Sequence, residues 1–180
     1  PEHVRFNEFI GKYCSSFSEV DRLNLVKLLI AKFSDLHKIK IAHRDLGDHS
    51  IWISPGKEVA LSNFISAYHQ PLGTVGPQRA SLSVNEGSTP IGMIVNDKTT
   101  PFQMDVYSLG LLAWHIIQGK RLSPASVKTL KSDVESSKEW YSSIVLKALT
   151  GSHFAYAGDF FEALKCNEPS SEQSYDFDFS

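Results

Sequence analysis

A chain of 180 residues, 42% hydrophobic and 21% charged, is long enough for one domain with a real core and reads as a globular protein. Its net charge of −2 and pI near 6.4 give no support for a nucleic-acid or membrane surface. Cys14 and Cys166 stand near opposite ends with no CxxC spacing, so unpaired thiols in a reducing, cytoplasmic compartment fit better than a lone disulfide. No apolar run reaches the roughly 18 residues that span a bilayer, and the longest, Leu109–Ile117, is interrupted by His115. The chain shows no signal peptide and opens on Pro1 and a polar segment, as a piece of a longer protein would.

Phe6, Phe9 and Ile10 fall at helical offsets in a first short stretch, 6–13. A longer helix follows. Ser18-Glu19-Val20-Asp21 is a variant capping box, and Val20, Leu23, Val26, Leu28 to Ile30, Phe33 and Leu36 recur at three-to-four spacing to His37. That stripe is wide, so the helix is expected to be well buried. Ile39 to Ala42 and Ile51-Trp52-Ile53 read as short strands on either side of a polar loop, as in a strand pair. Ser54-Pro55-Gly56-Lys57 is a turn signal, and Glu58 to Leu61 reads as the returning strand. Residues 66–100 are rich in Gly, Pro, Ser and Thr and predict a long functional or mobile loop. Met104 to Gln118 is apolar around nearly its whole circumference, which places that helix at the centre, with Gly119 as its C-terminal cap and Pro124 soon after. Amphipathic segments near Trp140–Leu149 and Asp159–Lys165 complete the lobe, 1–166. Residues 167–180 carry four acids and no Lys or Arg, and predict an acidic tail or linker.

The polar loop holds the chemistry. Ile41-Ala42-His43-Arg44-Asp45-Leu46-Gly47-Asp48-His49-Ser50 places five charged or titratable groups between two apolar runs. A zinc or phosphohydrolase site built from His43, Asp45, Asp48 and His49 is a poor fit, because groups in one loop converge on an ion only with partners from elsewhere. His43-Arg44-Asp45-Leu46, followed at 105–110 by Asp-Val-Tyr-Ser-Leu-Gly, resembles the catalytic loop and central buried helix of protein kinases. The order of elements from about Phe6 to Leu164 is similar to the helical, carboxy-terminal lobe of that family. The resemblance implies a mainly α fold with a small β-hairpin after the catalytic loop. No Gly-rich phosphate loop and no strand lysine precede the first helix, so the amino-terminal lobe is not in this chain.

By that resemblance, Asp45 holds the position of the catalytic base, and Arg44 that of an arginine that receives an activation-loop phosphate or forms a buried salt bridge. His43 is implied to be structural, Asp105 to anchor the loop, and Phe64 to pack in the core. The departures fall on phosphate and metal. Gly47 replaces the phosphate-contacting lysine, Ser50 the metal-binding Asn, and Asn63 and Ile65 the Asp and Gly of D-F-G. Magnesium needs oxygen ligands, usually charged, so Ser50 and Asn63 are weak replacements, with Asp48 and His49 as candidate substitutes. Thr89-Pro90-Ile91 falls where A-P-E belongs, with Ile91 for the Glu, and no arginine follows Arg121 to pair with one. Ser81, Ser83, Ser88 and Thr89, near Arg79, are candidate phosphosites. The expectation is a pseudokinase with a binding, scaffolding or regulatory role. Its partner would be a protein or an adjacent domain, with no nucleic acid and no membrane. ATP and Mg²⁺ would be bound only by a complete two-lobed protein. The alternative is an active, atypical Ser/Thr phosphotransferase using Asp45 as base.

Overall fold

The structure, a computed structural model, describes residues 2–74, 90 and 92–169. The fold is mainly helical, and its helices begin where the sequence supplies caps. In α2 (Glu19–Lys38) the Ser18 hydroxyl accepts the Asp21 amide at 3.1 Å while the Asp21 carboxylate accepts from the Ser18 amide. In α3 (Pro101–Gln118) Thr100 and Gln103 form the same reciprocal pair, with Pro101 at the first helical position. This start lies three residues before the one expected from apolar periodicity. Gly119 ends α3 in the left-handed conformation, φ 61°, as its cap position requires.

Every residue of α3 from Asp105 to Ile117 is buried. α2 and α6 (Ala157–Asn167) pack beside it, and α5 (Ser142–Ala148) lies so close that a Cβ on Gly110 would sit 3.1 Å from Leu149 Cδ2. The α2 stripe is narrower than its apolar pattern suggests. Leu23, Val26, Leu29, Ile30 and Phe33 are buried, whereas Val20 and Leu28, two turns apart on the outer side, are exposed. A further helix, α4 (Pro124–Ser136), was not anticipated. Its capping box uses Ser123 and Ser126, and only Leu130 and Val134 are buried, so its signal is thin.

Strand β1 (Val4–Arg5), which leads directly into α1 (Phe6–Tyr13), joins β3 (Ile51–Ile53) and β4 (Val59–Leu61) in an antiparallel sheet of order β1-β3-β4. The expected hairpin over Ser54–Lys57 is β3–β4, with Ile51 opposite Leu61 and Ile53 opposite Val59. β2 is only Ile41–Ala42, because α2 runs to Lys38, and it pairs with β5 (Tyr68–His69), which pairs with β6 (Gly73–Thr74). The two strands flanking the polar loop therefore lie in different sheets, which corrects their reading as a pair. The boundary expected at 166 falls inside α6, where Asn167 bonds back to the Ala163 carbonyl and Glu168 pairs with Lys27 at 2.8 Å. The acidic segment past residue 169 lies outside the described residues. Among the described residues no helix is long and apolar enough to cross a membrane. Both cysteines are free, Cys14 buried and Cys166 exposed.

His115, the polar interruption of α3, is buried, with Nδ1 donating to the Leu111 carbonyl at 2.7 Å and Nε2 2.8 Å from the Ser126 hydroxyl. Burial, helped by nearby Lys120, lowers its pKa against the raising effect of the Leu111 carbonyl. The unfolded chain binds a proton at this residue below about pH 6.5 and the folded chain resists it, so His115 contributes stability above that pH and loses it as pH falls. Urea unfolding should lose free energy between pH 7 and pH 5 more steeply in the wild type than in His115→Gln. Equal slopes would refute this.

Candidate functional site

The site is built on one buried carboxylate. Asp105, on the first turns of α3, has no exposed surface, and its oxygens accept the backbone amides of His43 and Arg44, each at 2.7 Å. Oδ2 also meets His37 Nε2 at 3.1 Å. His37 Nδ1 accepts the Ala157 amide at 2.9 Å, which leaves the ring proton on Nε2, where it donates to Asp105. One anion thus receives three N–H groups, and it ties α3 to the polar loop, to the end of α2 and, through His37, to the start of α6. Arg44 sits at φ 70°, a conformation costly by roughly 1–3 kcal/mol for a residue with a side chain. The Asp105 bond to its amide helps hold it there.

His43 is fully buried. Its Nε2 donates to the Ser62 carbonyl at 2.7 Å, its Nδ1 accepts the Asp45 amide at 3.3 Å, and its ring packs on Phe33 and Phe64. Phe64 differs from expectation. Its ring lies 4.6 Å from that of His43, yet Phe64 is exposed and Ile65 beside it more so, because the short turn 64–66 runs on the surface.

Asp45 is 19% exposed and has both oxygens engaged: Oδ1 accepts from His49 Nε2 at 2.9 Å and Oδ2 from Asn63 Nδ2 at 2.8 Å. Asn63 is left-handed (φ 63°, ψ 50°), a conformation that Asn tolerates better than most residues. Ser50 does not face this cluster. Its hydroxyl is wholly buried, accepts the Gly47 amide at 3.0 Å and reaches back to the Gly47 carbonyl, bracing the turn 47–50. Asp48 is committed elsewhere: Oδ1 accepts the Asn7 amide at 2.6 Å, in the first turn of α1, where a negative charge is favoured.

Ser50, Asn63 and Asp48, named above as weak or substitute metal ligands, are each engaged within the protein. The hydroxyl is spent inside its own turn, the amide presents its donor end to Asp45, and the second carboxylate caps a helix. Among the described residues no group of three His, Cys, Asp or Glu side chains is placed to hold a metal ion. Asp45 does open on a cleft of about 410 Å³, between the loop 44–49 and a wall of Ser108, Leu111, Leu122, Pro124 and Val127, with Pro90 at its edge. Thr89, Ile91 and the candidate phosphosites near Arg79 lie outside the described residues.

Two contributors were missed. Asn7 bonds the Leu122 backbone twice, donating to its carbonyl at 3.0 Å and accepting its amide at 2.7 Å, and so fixes the lead-in to α4 against α1. His37 was read only as a helix end; a histidine closing an apolar helix just before the polar loop was the available signal.

Asp105→Asn would keep one acceptor but turn an amide N–H toward a backbone N–H, leaving buried donors unsatisfied. Its unfolding free energy should fall by about 3 kcal/mol or more, measured in urea. A change under about 1 kcal/mol would remove Asp105 from its anchoring role. No family model and no curated protein matches this chain.

Proposed function

We propose that the chain is the helical lobe of a protein-kinase-like domain whose phosphotransfer centre is degenerate, and that it works as a pseudokinase in binding or regulation. The observation that carries this reading is the 2.8 Å hydrogen bond from Asn63 to Asp45. A carboxylate at position 63 would face Asp45 at the same distance, and two like charges so close need a shared cation or a proton. The amide removes that need, and the loop keeps its shape with neutral donors. Support also comes from the Asp105 anchor, which accepts the backbone amides of His43 and Arg44 and so fixes the path of the loop that carries Asp45. The exposed Phe64 and Ile65 beside the site suit cover by an adjacent lobe of a longer chain, in a cytoplasmic setting consistent with two free thiols.

A second reading, an atypical phosphotransferase with Asp45 as base, is favoured by one observation: Asp45 opens on the cleft. The full-length protein decides between them. With ATP and Mg²⁺ or Mn²⁺, its melting temperature should stay unchanged and no radiolabel should transfer. A metal-dependent shift together with transfer abolished by Asp45→Asn would establish the enzyme and end the pseudokinase reading. Asn63→Asp should lower the melting temperature in a chelator and recover it with millimolar Mg²⁺ or Mn²⁺; metal-independent stability in that variant would contradict the charge argument.

A further inference from the structure

Gly47 has no backbone reason to be glycine, since its φ is not in the left-handed range. Its reason is room. A Cβ at position 47 would lie 3.1 Å from His49 Cε1 and 3.2 Å from His49 Nδ1, tighter than ordinary contact. The imidazole is folded back over residue 47, and from there it reaches Asp45 Oδ1 at 2.9 Å. It is half exposed, so no packing from the core holds it in that place. The other oxygen of that carboxylate, Oδ2, accepts from Asn63.

We propose that His49 is a positioning residue that acts as an internal occupant of the Asp45 centre. Its ring stands where a substrate hydroxyl or a cation would meet the carboxylate, and Gly47 is the vacancy that admits it. The loss of a side chain at 47 and the presence of a ring at 49 are then one change: a long side chain at 47 would evict the imidazole, and without the imidazole Asp45 would have a free oxygen. This rests on reading Asp45 as the retained base position, and it adds what now fills that position. Among the described residues, the charged and titratable groups around His49 in the cleft are Arg44, Asp45 and Asp48, all from the same loop.

Two measurements test it. Long-range nitrogen NMR of the imidazoles should show His49 in the wild type with its proton fixed on Nε2, and Asp45→Ala or Gly47→Ala should release it to a mixture of tautomers. An unchanged His49 signal in both variants would overturn the proposal. The second measurement uses Mn²⁺ alone, read by paramagnetic broadening of residues near position 45. Asn63→Asp/His49→Ala should bind Mn²⁺ at least about tenfold more tightly than Asn63→Asp, the equivalent of one charge-assisted hydrogen bond no longer competing for Asp45. Equal or weaker binding in the double variant would show that His49 does not occupy the carboxylate. Phosphoryl transfer by the wild-type protein would instead sink the pseudokinase reading while leaving the tautomer result as it stands, so the two failures are separable.

Discussion

The Asp105 carboxylate is the constraint on which the rest of the structure depends. An isolated ion in the core would be expensive by several kcal/mol, and among the described residues no ammonium or guanidinium is in the bonds that hold this one. It is solvated instead by three fixed N–H groups, two from the loop backbone and one from a neutral imidazole. Each donor belongs to a different requirement. The amides set the path of the chain through His43 and Arg44, and His37 brings the end of α2 and the first residue of α6 to the same point. The left-handed turn at Arg44 and the direction of Asp45 follow from that junction.

Outward from Asp105 the site is a succession of satisfied polar groups. His43 spans Asp45 and Ser62, Ser50 braces Gly47, and His49 and Asn63 divide the Asp45 carboxylate between them. Networks of this kind hold shape when every member is paired. Asp45 stands at the centre of this network, with both of its oxygens engaged by neighbours from the loop and from position 63.

The sequence made the helices and the position of the polar loop legible because their signals are local. The capping box at Ser18, the glycine at 119 and the unbroken apolar surface of α3 all act within a few residues, and the His43-Arg44-Asp45 string is contiguous. α4 was lost because its cap uses Ser126 in place of a longer side chain and its buried face is two residues wide. The strands beside the loop were assigned to one pair because nothing in Ile41-Ala42 or Ile51–Ile53 reveals that their partners are His69 and Tyr68 in one case and Val4 and Arg5 in the other. Side-chain commitments were hardest to foresee. Ser50 and Asp48 look like free oxygen ligands in a list of residues, and only the tertiary structure sends one into its own turn and the other to an amide 41 positions away.

Asn7 gives the cleft a mechanical property. It grips Leu122, on one wall, through two bonds, while its own amide is held by Asp48, on the other wall. The walls are thus coupled through a single rigid residue two positions beyond β1, which is itself paired to β3. A shift of Asn7 would therefore be felt at Asp48 and at Leu122 together.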